Sequence, residues 1–206
     1  MEEIQLNILG MHNNAPKKPR VWLTPKPKGC EGCPLYADGF GFSAPEGEGT
    51  IPLLILAEAL GEHEEREGKP LRPYAESGAL FERVVRRAGF DRKQFIIYNT
   101  VNCRPPNNEL SGMWYRASAI EQCRQYVDEV VKTYKPKAIL ALGGVALAAL
   151  TGLYGEKQSI AYTRGYILHS ARYDIPVIAS FHPSFVNRGN RNLMPVLIHD
   201  LQRPIS

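Results

Sequence analysis

The sequence lacks a long apolar run, a leader-like start and any internal repeat. No apolar stretch approaches the roughly 20 residues that a membrane-spanning helix needs. Residues 1–10 contain two acids and neither a basic start nor a continuous apolar core, which is unlike a secretory signal peptide. These absences argue against membrane, secreted and repeat architectures. They predict an intracellular, cytoplasmic protein of ordinary globular type.

A strong charge imbalance is also missing, since 25 basic residues face 21 acidic ones and leave a net charge of +4. That value is compatible with a phosphate-rich partner without requiring one. Prolines and lysines concentrate near the start, so residues 1–29 are predicted to form a basic, Pro-rich N-terminal arm without regular structure. The arm either contacts a phosphate-rich partner or is a solvated tail. Residues 30–206 are long enough for one domain with a full core.

Apolar runs and amphipathic stretches alternate along that domain. Strands are predicted over residues 51–57, 95–101, 137–142 and 175–181, and helices over 77–88, 116–134, 145–150 and 192–202. Residues 159–170 are predicted to form a β-excursion that turns near Arg164 and Gly165. The alternation predicts a three-layer α/β/α fold with a central four-stranded parallel sheet. In such sheets, ligands bind at the carboxyl ends of the strands.

The chain has only four cysteines, and their placement indicates a metal site. Cys30 and Cys33 form a C-x-x-C pair, Cys103 follows the second predicted strand, and Cys123 lies on the apolar face of the next helix. Four thiolates suit zinc and iron–sulfur centres equally well. The alternative is that Cys123 is a small buried hydrophobic residue and that the pair is incidental.

Segments at the predicted strand ends together resemble the iron–sulfur, family 4-like members of the uracil-DNA glycosylase superfamily. The resemblance starts at Cys30 and continues to about the last helix. Its pieces, in the order typical of that family, are CEGCPL at residues 30–35, LAEALGEHEE at 56–65, YNTVNCRPPNN at 98–108, Cys123 in the following helix, and IPVIASFHPSFVNR at 175–188.

The resemblance implies an enzyme that hydrolyses the N-glycosidic bond of uracil in DNA and so initiates base excision repair. Such an enzyme acts on a nucleotide flipped out of the duplex. Glu58 is then expected to stabilise the sugar cation and orient water, and His182 to donate a hydrogen bond to the leaving base. Asn99 is expected to read the uracil edge, because an amide carries both a donor and an acceptor. Glu64 matches the position beside the C5 edge of the base.

The resemblance also implies the cofactor and the DNA contacts. Cys30, Cys33, Cys103 and Cys123 are expected to hold a [4Fe–4S] cluster. Contacts to DNA phosphates are expected from Ser184, Arg188 and Arg191. The protein is expected to act as a monomer, and a replication or repair protein is a candidate partner.

Several positions depart from the family pattern. Ala57 and Leu60 replace a glycine and a proline, and the segment GKPLRPYAESG at 68–78 is about two residues longer than the family's. Where the family stacks a phenylalanine on uracil, this chain offers either Leu71 or, after a shift, Tyr74. Two alternatives therefore stay open. One is a non-catalytic DNA-binding or replication-associated protein on the same fold, and the other is a structural zinc or redox domain.

Overall fold

The computed structural model describes residues 25–153 and 159–204, so almost all of the predicted N-terminal arm lies outside the described residues. Five strands form one sheet in the order β2-β1-β3-β5-β4. The strands are β1 (Leu53–Ala59), β2 (Ile96–Val101), β3 (Ala138–Leu142), β4 (Ile167–Ser170) and β5 (Ile175–Ser180).

The α/β class is confirmed, but the sheet differs from the predicted one. β1, β2, β3 and β5 pair in parallel, as predicted, whereas β4 is antiparallel to β5 and makes the sheet mixed and five-stranded. The predicted β-excursion over 159–170 begins as a short helix, and only its second half is a strand. β4 escaped prediction as part of the sheet because it is an edge strand with an exposed start, Ile167 being 65% exposed.

Helices cover both faces of the sheet. They are α1 (Leu35–Asp38), α2 (Glu76–Arg87), α3 (Arg116–Tyr134), α4 (Gly144–Thr151), α5 (Ile160–Thr163), α6 (Pro183–Asn187) and α7 (Met194–Gln202). Successive side chains of a strand point to opposite faces. Leu53 and Ile55 accordingly pack with α2 and α7, while Leu54 and Leu56 pack with α3 and α4. None of the described helices is both long and apolar enough to cross a membrane.

The carboxyl ends of the four parallel strands lie at one edge of the sheet. β1 ends at Ala59 and is followed by a loop, while β3 leads through Gly143 into α4. β5 ends at Ser180, two residues before the His182 that caps α6. The polar segments at 58–65 and 182–188 are therefore brought together by the parallel pairing itself.

Candidate active site

A cleft of about 620 Å³ opens at the carboxyl edge of the sheet. Its walls come from the loop after β1, the segment leading into α2, the loop after β2, and α6. Six of the residues predicted from the sequence line it: Glu58, Glu64, Leu71, His182, Ser184 and Arg188. The sheet topology thus gathers side chains that are far apart in the sequence.

Glu58 is the penultimate residue of β1, and its side chain faces the cleft. Burial raises the pKa of its carboxyl group above the ordinary value, against the opposing charges of Arg116 and Arg188. Arg116 is the first residue of α3. Sequence reasoning missed this arginine, because nothing in the linear chain connects a helix start with the end of a strand 58 positions earlier.

His182 is held by the first turn of α6, which it caps. The Ser184 N–H donates to Nδ1 at 3.2 Å, and the Ser184 hydroxyl lies 2.8 Å from the same nitrogen. Burial, assisted by the charge of Arg188, lowers the pKa of His182 to about 4. The ring is therefore neutral near pH 7. Because a backbone N–H can only donate, Nδ1 is the acceptor and the ring proton lies on Nε2.

Gly143 makes room for this histidine. It has a φ of +90°, and a Cβ atom there would lie 3.1 Å from the His182 Cβ. Its N–H donates to the Ser180 carbonyl at 2.9 Å, joining the ends of β3 and β5. A side chain at this position would be strained by the backbone and crowded by His182.

Glu64 connects two walls of the cleft. Its carboxylate is buried and accepts hydrogen bonds from the Gly61 N–H at 2.9 Å and the Arg72 N–H at 3.0 Å. Burial raises its pKa, and these backbone hydrogen bonds oppose the shift. Leu71 lies beside it, 4% exposed, with an unusual φ of +49°.

Three predicted site residues do not line the cleft. Asn99 is buried within β2, where its Nδ2 donates to the Ser43 hydroxyl at 3.3 Å. Tyr74 is 55% exposed, with the Arg72 guanidinium 5.8 Å from its ring centre. Arg191 is exposed in a short 3₁₀ turn. The sequence carries no signal for Ser43, which lies in an irregular loop before β1.

The lining of the cleft is acidic. Five glutamates contribute to it, and Arg188 is the one lysine or arginine among the lining residues of the described chain. The glutamates are Glu58, Glu62, Glu64, Glu76 and Glu109. A cleft of this composition admits an uncharged group more readily than a phosphate.

The four cysteines form a separate group. All are free thiols, and each lies within electrostatic range of the other three. The Tyr126 hydroxyl is 3.5 Å from the Cys30 sulfur, and the Asn102 N–H is 3.5 Å from the Cys123 sulfur. As placed in the described residues, no three His, Cys, Asp or Glu side chains form a group that could hold a metal ion.

The chemistry of this cysteine group still fits a metal centre. Burial raises the pKa of Cys103 and Cys123 to about 12, so both stay protonated until a positive centre replaces the proton. Asn102, whose backbone N–H approaches Cys123, has a fully buried side chain, and within the described residues neither polar atom of its amide has a hydrogen-bond partner. A buried amide without a partner is costly, and an additional acceptor close to it would satisfy its NH2 group.

Comparison with known proteins places the chain in a family. A family model described as "Uracil DNA glycosylase superfamily" matches residues 44–202. A Type-4 uracil-DNA glycosylase of Thermotoga maritima is 29% identical over 177 residues, which cover 85% of this chain and 88% of that protein. One of Sulfurisphaera tokodaii is 31% identical over 180 residues, covering 84% and 78% respectively.

Solved structures agree at the level of the fold. The crystal structure of wild-type Pedobacter heparinus SMUG2 superposes with a TM-score of 0.50 at 15% identity, covering 78% of this chain and 75% of that one. The family match spans more than half of the chain and includes the cleft residues on β1, α2 and α6. The resemblance seen in the sequence motifs is confirmed: this chain belongs to the uracil DNA glycosylase superfamily.

Proposed function

We propose that this protein is a uracil-DNA glycosylase that hydrolyses the N-glycosidic bond of uracil in DNA and so initiates base excision repair. The observation that carries the proposal is that a partly buried carboxylate, Glu58, and a neutral imidazole, His182, line the same cleft. Membership of the superfamily and the Type-4 uracil-DNA glycosylase relatives support the same activity.

Hydrolysis requires two charges to be stabilised at once. As the bond between C1′ and the base nitrogen lengthens, the sugar becomes an oxocarbenium-like cation and the base departs as an anion. Glu58 in its ionised form faces the cation and orients the water that attacks C1′. The Nε2–H of His182 donates to O2 of the departing uracil. A donor that is already neutral and oriented needs no reorganisation during the reaction.

The remaining site residues are proposed to select the base and hold the DNA. Asn99 complements N3–H and O4 of uracil, provided that its amide exchanges Ser43 for the base. Glu64 lies beside the C5 edge. Ser184, Arg188 and Arg191 are proposed to contact DNA phosphates.

Leu71 and Tyr74 are the two candidates for the surface on which the base rests. Leu71 lines the cleft, while Tyr74 is not among its lining residues. This placement favours Leu71 as the residue that faces the base.

Cys30, Cys33, Cys103 and Cys123 are proposed to hold a [4Fe–4S] cluster. The mutual proximity of the thiols and the unpaired amide of Asn102 support this assignment. When bound, the cluster would supply a structural link between the loop before α1, the end of β2 and α3. The chain is proposed to work as a monomer, with residues 1–29 as a candidate contact for DNA or for a replication or repair protein.

The activity is tested with purified protein and uracil-containing oligonucleotides, both single- and double-stranded. Abasic products are cleaved with alkali and separated by length. We expect strand cleavage at uracil and none at thymine in the matched control. Protein that binds DNA and releases no base from uracil-, hypoxanthine- or xanthine-containing DNA would instead be the non-catalytic relative.

A further inference from the structure

Leu71 has a backbone conformation that a leucine rarely adopts. Its φ of +49° lies in the left-handed region, where the Cβ atom crowds the backbone, yet its side chain is buried at the wall of the cleft. Such a residue persists only where its surroundings over-determine it, and such residues cluster at ligand sites. The question is what holds Leu71 in place.

The side chains of Arg92 and Glu64 form hydrogen bonds with the two peptide groups that flank Leu71. Arg92 donates to the Pro70 carbonyl at 3.2 Å and to the Leu71 carbonyl at 2.8 Å. From the opposite side, Glu64 accepts from the Arg72 N–H at 3.0 Å and lies near the Leu71 N–H. Peptide groups are planar, so φ and ψ of a residue are the angles between its two flanking planes. Fixing both planes therefore fixes the conformation of Leu71.

The arginine is itself firmly anchored. Arg92 is 8% exposed and pairs with Glu46 at 3.3 Å and Glu82 at 3.9 Å. Glu46 also binds the Arg72 guanidinium at 2.9 Å. Gly78 in α2 allows the Arg72 backbone to pack closely against this helix, since a Cβ at Gly78 would lie 1.9 Å from the Arg72 carbonyl oxygen. The segment around Leu71 thus packs against α2 and is held by a partly buried network of ion pairs.

We propose that Arg92 is a positioning residue of the base pocket. Together with Glu64 it holds Leu71 in the left-handed conformation, so that an aliphatic side chain forms the wall against which the extruded base packs. This inference rests on the proposed function and extends it to a residue, Arg92, that does not line the cleft. The holding of Leu71 by Arg92 and Glu64 also explains how a wall for the base can form although residues 68–78 depart from the family pattern.

The test compares two DNA duplexes that differ only in the presence of a base. One carries 2′-fluoro-2′-deoxyuridine, which resists excision, and the other carries a tetrahydrofuran abasic site. If Leu71 contacts the base, Leu71→Gly should weaken binding of the uracil duplex about tenfold, because a buried aliphatic contact is lost. Binding of the abasic duplex should stay within about twofold.

Arg92→Lys should show the same signature, because a lysine cannot grip two carbonyls in the fork geometry of a guanidinium. The matched control is Arg86→Met. Arg86 pairs with the same Glu82 at 2.8 Å, but from an exposed position on α2, and we expect it to change neither affinity. If Arg92→Lys weakened binding of both duplexes equally, Arg92 would only contribute to general stability, and the proposal would be contradicted.

A double variant provides a second test of the positioning role. Glycine adopts a positive φ without restraint, so Arg92→Lys in the Leu71→Gly background should add little further loss of affinity for the uracil duplex. A full additional loss would contradict the positioning role. If the unaltered protein neither excises uracil nor binds the uracil duplex, the proposed function fails. If it does both and the variants keep their preference for uracil, only this inference fails.

Discussion

His182 is the side chain we propose as hydrogen-bond donor to the leaving base, and the fold holds it in the required neutral form. Its Nδ1 is occupied by the Ser184 N–H, and its pKa of about 4 keeps the ring neutral. We predict that His182→Ala lowers the single-turnover rate of uracil excision by roughly 30- to 1000-fold, which corresponds to about 2–4 kcal/mol, as for the loss of one oxyanion donor.

Affinity for an abasic duplex should change much less than this rate, because the contact strengthens in the transition state. His169→Ala provides the matched control. His169 lies in β4, where its Nε2 is 3.3 Å from Asp174, and it is absent from the cleft lining. If both variants excise uracil at the unaltered rate, His182 has no part in the chemistry.

We predict that the titration of Glu58 produces the acid limb in the pH dependence of the single-turnover rate. Its carboxyl pKa is raised by burial above the ordinary 4.5, and the ionised form is the one we propose to be active. The single-turnover rate should therefore fall as pH drops through this raised pKa and reach a plateau above it. The pKa of His182, about 4, lies below that of Glu58, so the imidazole is mostly neutral where Glu58 is ionised.

Glu58→Gln should remove this limb along with most of the rate, since an amide neither titrates nor stabilises a cation. The measurement is the rate of base release from pre-bound DNA between pH 4.5 and 9, with folding checked at each pH by circular dichroism. An unchanged acid limb in Glu58→Gln would assign the titration to another group.

The positions of site residues were predictable from sequence where a polar group lies at or just beyond the carboxyl end of a strand. Glu58 is the penultimate residue of β1 and His182 lies two residues beyond β5, and both line the cleft. Asn99 lies inside β2, and its pairing with Ser43 could not be foreseen because that contact joins residues 56 positions apart in an irregular loop and a strand. The clamp of Arg92 on Leu71 likewise depends on tertiary contacts alone.

At the scale of whole elements, the junction between β3 and α4 bears directly on the site. Gly143 and Gly89 both have a φ of +90°, but only at Gly143 would a Cβ meet a neighbour, the Cβ of His182 at 3.1 Å. We predict that both Gly→Ala variants lose stability by about 1 kcal/mol from the backbone alone.

Only Gly143→Ala should also slow uracil excision, because it displaces the histidine. Thermal unfolding measures the loss of stability, and single-turnover kinetics measure the rate of uracil excision. Gly143→Ala with full activity, or Gly89→Ala with an equal kinetic defect, would show that the close approach to His182 has no catalytic consequence.

The helices and strands that are most buried were the ones whose bounds could best be predicted from the sequence. The helix predicted over 116–134 matches α3 at both ends, and the bounds of the four parallel strands match within two residues. β4 lies at the edge, with a half-exposed pattern, so its apolar periodicity is weak. The short helix α6 was absent from the prediction because five residues carry too little periodic signal.

The cysteine group ties three elements together: the loop before α1, the end of β2, and α3. We predict that protein purified without oxygen is brown and contains about four irons per chain, as four-thiolate ligation of a [4Fe–4S] cluster requires. Cys123→Ser should lose iron and unfold at a lower temperature. Colourless protein that contains one zinc per chain would overturn the assignment.

At the scale of the whole molecule, DNA binding should depend on phosphate contacts at the rim of the cleft. We predict that affinity falls steeply with salt, because each neutralised phosphate releases condensed cations. Arg188→Gln and Arg191→Gln should each weaken binding to all sequences and make the salt dependence shallower by about one unit of slope. Affinity that stays constant from low to high salt would contradict this.

The N-terminal arm is tested separately by deleting residues 1–20. If the arm contacts DNA, the deletion should lower affinity and reduce the salt slope while the excision rate of bound substrate stays the same. Unchanged affinity would assign those residues to the solvated tail.

The acidic lining of the cleft has a consequence for how damage is found. Five glutamates surround the place where the base must enter, so a phosphodiester backbone that strays inside is repelled while a neutral nucleobase is not. If Arg188 and Arg191 contact phosphates as proposed, undamaged duplex should be held only at the rim and released quickly. We expect brief residence on intact DNA and a long pause only where an extruded base fills the cleft, which is the behaviour of a scanning protein.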